Sequence, residues 1–115
     1  MQQATFEPVS NKEDWVQQCE VRNSDTNALV DLTAAVIVLA VRDPKSKINR
    51  LLAQTSDGSI TIVDTGVFEF SFPASQMGGM EVAKSYEVGC TIKLNGSPTL
   101  QFFVGTVPIV DGIVP

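Results

Sequence analysis

Histidine is absent from this 115-residue chain. With it go the commonest zinc ligand, the usual general base and the usual partner of a nucleophilic serine or cysteine. Cysteine is scarce: Cys19 and Cys90 stand far apart, so no Cys-x-x-Cys metal or redox motif can form. Positive charge is scarce as well, with eight Lys and Arg against thirteen Asp and Glu, a net charge of −5. A phosphate backbone needs a continuous cationic footprint, so nucleic acid is not expected as a partner. Long apolar runs are missing: the longest, Ala34 to Val41, is far too short to span a bilayer. The start, Met-Gln-Gln-Ala-Thr-Phe-Glu, has neither the cationic opening nor the apolar stretch of a signal peptide. No membrane is expected, the chain reads as kept in a cytosol, and both cysteines are expected as buried, reduced thiols.

What is present is ordinary globular chemistry, 43% hydrophobic and 18% charged. That balance excludes disorder and suits one domain over residues 1–115, long enough to bury roughly two-thirds of its extended-chain surface. Period-two alternation dominates. Trp15, Gln17, Cys19 and Val21 share one face of a first strand over 15–22, and Asn23 to Asn27 make a turn. Val36, Ile37, Val38 and Val41 are β-branched and Asp43-Pro44 stops the run, so Ala34 to Val41 reads as a strand rather than a buried helix. Strands are also expected over 51–55 and 59–63, and Asp57-Gly58 and Asp64-Thr65-Gly66 are their turns, the second closing a hairpin with Gly66 in a left-handed conformation. In its second arm Phe68, Phe70 and Phe72 alternate with polar neighbours and should form the centre of the core. Pro73 ends that arm. Ala74 to Met80 has room for one helical turn, since Gly78-Gly79 makes a long helix improbable. Tyr86, Val88, Cys90, Ile92 and Leu94 line the inner face of a strand over 85–94, and a last strand covers 99–107.

Two registers compete around Asn95-Gly96. A tight two-residue turn sets Cys90 opposite Gln101, whereas a three-residue loop, or a two-residue loop with a bulge, pairs Ile92 with Leu100, Cys90 with Phe102 and Val88 with Val104, apolar against apolar. We take the second, which leaves Phe103 facing outward beside Gly89 with Val107 on the same side. The strand over 35–41 is apolar on both faces, with Val36, Val38 and Ala40 on one and Ile37 and Leu39 on the other. Contiguous outward apolar residues mark interfaces, so Ile37, Leu39, Phe103 and Val107 are the candidate interface of a homo-oligomer. The alternative is that a loop or the carboxy-terminal tail, Pro108 to Pro115, folds back over them.

The fold class is therefore all-β, an antiparallel β-sandwich of about seven or eight strands. An antibody-type framework would join Cys19 to Cys90 and place its tryptophan after the first cysteine. Here Trp15 precedes it, and Tyr86 stands four residues before Cys90 rather than two. Tyr86 is expected to bond through its hydroxyl near the start of its strand.

Chemistry is hard to find. Carboxylates are the only candidate acids and bases, and Glu13-Asp14, Asp25 with Asp31, and Asp57 with Asp64 are scattered over turns, where aspartates usually satisfy their own backbone rather than bind calcium. Gly78-Gly79 lacks the Gly-Lys-Ser/Thr ending of a phosphate loop. The cluster from Arg42 to Arg50 could hold an anion, but a solvated hairpin loop is the plainer reading. No catalytic residue, metal or cofactor is expected, and a free-standing carbohydrate-binding sandwich is the alternative to a structural role.

The ordered segments "VDLTAAVIVLAVR", "GSITIVDTGVFEFSFPASQM", "SYEVGCTIKL" and "FFVGTVPIVDGIV" resemble immunoglobulin-like phage and prophage tail or baseplate modules, similar to the upper-baseplate amino-terminal domain. The resemblance covers nearly the whole chain and implies that the antiparallel β-sandwich is immunoglobulin-like and that the protein is structural, with no catalytic residue. Alongside the homo-oligomer read from the strand faces, it implies partners among other tail or virion proteins and a location in a virion or the bacterial cytoplasm. The long carboxy-terminal extension of many baseplate proteins is missing, which favours an accessory tail component over a receptor-binding one.

Overall fold

In the computed structural model, which describes residues 2–23, 25–81 and 84–110 and the side chains from residue 6 onward, the alternating segments are strands. They are β1 (Gln2–Thr5), β2 (Val9–Ser10), β3 (Trp15–Glu20), β4 (Val36–Arg42), β5 (Asn49–Gln54), β6 (Ile60–Asp64), β7 (Val67–Phe72), β8 (Lys84–Lys93) and β9 (Leu100–Val110), with a 3-10 turn at Thr55–Asp57 after β5 and one turn of α-helix, α1 (Ala74–Met77), before β8. The larger sheet has the order β1-β9-β8-β4-β5, with β2 also pairing β9, and the smaller has the order β3-β7-β6. Placing β3, β6 and β7 on one layer and β4, β8 and β9 on the other reproduces the B-E-D and C-F-G division of an immunoglobulin domain, with β5 as an added strand beyond C. The chain is an all-β, immunoglobulin-like sandwich.

Its inner faces follow the period-two pattern. Phe68, Phe70 and Phe72 of β7, Ile37, Leu39 and Val41 of β4, and Tyr86, Val88, Cys90 and Ile92 of β8 are buried in one core. The sequence reading omitted β1 and β2, and both run parallel to β9 rather than antiparallel. They are too short, and too interrupted by Phe6 and Pro8, to show a period. Phe6 fixes this segment: its ring lies 5.7 Å from Trp15 and 5.7 Å from Phe103, and Trp15 meets Phe70 edge-on at 5.0 Å. Quadrupolar rings favour such edge-to-face contacts.

The β8–β9 pairing corrects the expected register. Ile92 does face Leu100 and Thr91 faces Gln101, but Cys90 then faces Phe103, so Phe102 is an extra residue in a bulge. The ladder beyond it is displaced by one: Val88 lies opposite Gly105, not Val104. Phe102 leans against Phe68 at 6.3 Å, and Phe103 is only 4% exposed. Phe103 and Val107 are therefore core residues, as are the fully buried Ile37 and Leu39. All four residues expected to form an outward patch lie between the sheets. The residues that face out are Val36, Val38 and Ala40 on β4 and Val104 on β9. A strand apolar on both sides does not reveal its phase by itself. Here the bulkier set, Ile37, Leu39 and Val41, is turned inward.

The connections are built as their residues dictate. β4 starts at Val36 rather than Ala34 because Ala34 sits at φ 60° in a turn closed by the Ala35 N–H donating to the Leu32 carbonyl at 3.0 Å. The Tyr86 hydroxyl accepts the Glu81 N–H at 2.9 Å, holding the approach to β8 in the way expected for a buried tyrosine. Gly66 has φ 70°, as the hairpin requires, and a Cβ there would stand 2.8 Å from the Leu29 Cβ and 3.1 Å from the Val21 carbonyl oxygen. Gly58 is also left-handed but faces open space. In urea melts, Gly58→Ala should cost only the left-handed backbone penalty, about 1–2 kcal/mol. Gly66→Ala should cost a further ~1–3 kcal/mol because Leu29 and the β3–β4 loop must move; equal losses at the two positions would contradict this packing.

Candidate interaction surface

The pairing that buries one face of β4, β8 and β9 sets out the other in rows. Val36 is beside Lys93; Val38 is beside Thr91 and then Gln101; Ala40 is beside Gly89 and then Val104; Arg42 is beside Glu87 and then Thr106. Leu52 of β5 extends the Ala40 row. Because Ala40 and Gly89 are the smallest residues available, the middle of this face is a hollow of about 490 Å³. Apolar surface borders it, with Val36 50% and Leu52 47% exposed.

Gln101 fixes the rim. Its side-chain Nε2 donates to the Cys90 carbonyl at 3.0 Å and to the Phe103 carbonyl at 2.9 Å, spanning the bulge. The missing side chain of Gly89 leaves space beside that amide, since a Cβ on Gly89 would stand 3.6 Å from Nε2.

One end of the face is charged. Glu87 accepts from Arg42 Nε at 2.9 Å and from Lys47 Nζ at 3.0 Å, and the Lys47 bond, then Arg42, holds its carboxyl below the usual range. Asp43, only 5% exposed, accepts the backbone N–H groups of Lys45 at 2.8 Å and Ser46 at 3.1 Å and pairs with the Lys84 ammonium. Lys84 above all, then the two N–H groups, holds the Asp43 carboxyl far below its ordinary value, and Asp43 in turn raises the Lys84 ammonium. Two of the four cations in the stretch from Arg42 to Arg50, Arg42 and Lys47, are thus tied into an internal ion network. Lys45 and Arg50 alone in that stretch have no ion pair among the described residues.

The turn carboxylates are occupied locally. Asp31 accepts from the Thr33 N–H and hydroxyl, Asp57 from the Ser59 N–H and hydroxyl, and Asp64 from the Thr65 N–H. Asp14 instead caps the start of α1, accepting from the Ala74 N–H at 2.7 Å. Among the described residues no three His, Cys, Asp or Glu side chains converge in a metal-binding group. No helix among them is long and apolar enough to cross a membrane. All eight aromatic residues lie at the core: Phe102 is half-buried and the other seven are buried.

Cys90 is buried and Cys19 half-buried, both as free thiols. Burial pushes Cys19 up to about 11, and burial, then the neighbouring Cys19, pushes Cys90 up to about 12.

No protein-family model matches the chain, and no curated protein matches it. Among solved structures, Drosophila OTK, extracellular domains 3–5, is similar at 14% identity and a TM-score of 0.37. The match covers 96% of this chain, which spans about a third of that structure's length, 33%.

The sequence reading found the two-faced β4 strand but assigned the wrong side of it to the surface, and missed Gln101, Gly89 and Val104. The one available signal was the Phe102-Phe103 pair, which an inserted residue can turn inward together. Gln101→Ala removes both bulge-spanning bonds and should destabilise the fold by about 1–3 kcal/mol although Gln101 is exposed; an unchanged melting curve would contradict the bracing role. At pH 8 both cysteines should alkylate far more slowly in the native protein than in urea, with Cys19 the faster of the two. Rapid native modification of Cys90 would contradict its placement.

Proposed function

We propose that this chain is a non-catalytic structural module of a phage or prophage tail or baseplate, and that it docks through the outer face of its larger sheet. The observation that carries the reading is the apolar-bordered hollow over Ala40 and Gly89, on a face whose charged end is already internally paired. Such a surface suits protein contact better than turnover, since no side chain in the hollow is a nucleophile with a positioned base. A carbohydrate-binding role is less well supported, because sugar platforms need exposed rings and the aromatic residues here are turned to the core. The proposed location is the virion or the bacterial cytoplasm.

Mass spectrometry of purified particles, released by induction from a host encoding the chain, tests the proposal. The chain should appear at a fixed ratio to known tail subunits. Its absence from particles while abundant in the lysate would overturn the reading, as would an enzymatic turnover abolished by changing a single carboxylate.

A further inference from the structure

Resting on the assembly reading, the partner of this face can be named from its own pattern. We propose that the outer face of the larger sheet binds the same face of a second copy, about a two-fold axis lying between the two sheets and running across the strands. Such an axis superposes each strand on its own counterpart in reverse direction and exchanges rows equidistant from its crossing point.

With the axis over Leu39 of β4 and Cys90 of β8, which face each other in the ladder, the rows are complementary in size, and Lys93 is set against the Glu87 carboxylate, where it joins the Arg42 and Lys47 pairs within that copy. The larger pair Val38 and Thr91 then opposes the small pair Ala40 and Gly89 of the second copy, so that side chains from one hollow fill the other. Lys93, three residues beyond Cys90 along β8, opposes Glu87, three residues before it. Lys93 is exposed and has no ion pair among the described residues. The symmetry makes the contact twice. Val36, half exposed, lies over the aliphatic stem of Arg42 of the second copy, where a long cationic side chain covers apolar surface.

The face is large enough for a reversible dimer and no more. Five strands at ~4.8 Å spacing and the seven residues of β4 at ~3.4 Å rise give on the order of 600 Å² per copy. Standard stable interfaces bury ~800 Å² per partner, so dissociation in the micromolar range is expected.

Zero-length carbodiimide coupling of the purified full chain, followed by peptide mass spectrometry, reads the arrangement directly. Within one copy Lys93 and Glu87 lie on the same extended strand ~20 Å apart, out of reach of a direct amide bond. A Lys93–Glu87 isopeptide in the dimer fraction therefore reports the proposed contact. Light scattering of variants accompanies it. Gly89→Val has room for its Cβ, so it should keep the wild-type circular dichroism while weakening dimerisation at least tenfold. Lys93→Glu alters only an exposed side chain and should weaken dimerisation roughly tenfold, with the remaining affinity rising in high salt. Either variant suffices should the other misfold. A wild type still monomeric at millimolar concentration, a dimer coupled only through other residues, or folded variants with unchanged affinity would overturn the proposal. A protein that is monomeric in solution yet present in particles would remove this dimer while leaving the assembly reading in place; absence from particles with the Lys93–Glu87 link present would do the reverse.

Discussion

Phe102 is an unpaired residue in the β8–β9 ladder, and the architecture of the larger sheet depends on that insertion. With a continuous ladder, the residues after it would alternate in the opposite sense, because the side-chain period of a strand is two. The bulge instead turns Phe103, Val107 and Ile109 into the core and leaves Val104 and Thr106 outside. Burying each of those large apolar side chains is worth about 1.5–3 kcal/mol, whereas each hydrogen bond from Gln101 contributes only ~1 kcal/mol net. Burial thus sets the phase of β9, and Gln101 holds the irregular backbone that this phase requires.

The same choice determines what reaches solvent. Phe103 in the core gives Phe6 a ring to pack against, and Phe6 anchors the segment between β1 and β2 along β9. Edge strands left open invite unwanted pairing, so this cover also shields the β9 edge. On the opposite side of the sheet, Gly89 and Ala40 come together as neighbours in one row, flanked by Leu52 and Val104. Core and surface are therefore two readings of one register: moving β9 by one residue would destroy both the aromatic cluster and the hollow.

Much of this was legible. Phe68, Phe70 and Phe72 alternate with polar residues, so only one phase buries them, and Gly66 supplies the left-handed residue that a tight hairpin needs. Tyr86 lies in a strand whose other face is polar or small, which fixed its burial. Legibility failed where a strand has two apolar faces. Ile37 and Leu39 cannot be told from Val36 and Val38 by hydropathy, and their assignment comes from what packs across from them. It failed again at Phe102-Phe103, where a bulge suspends the alternation from which register is inferred. β1 and β2 were invisible because they are held by a partner remote in sequence rather than by a pattern of their own. The ion network around Asp43 and Glu87 was equally hidden, since it joins the β4–β5 loop to β8 only after folding.

The phase of β9 is open to direct observation by solution NMR, through nuclear Overhauser contacts among the aromatic protons. The account predicts contacts from the Phe103 ring to Phe6, whose centroid lies 5.7 Å away, and from the Phe102 ring to Phe68. A Phe103 ring without contacts to Phe6, combined with a Phe102 ring that touches Phe6 or Trp15, would restore the continuous ladder and contradict the account.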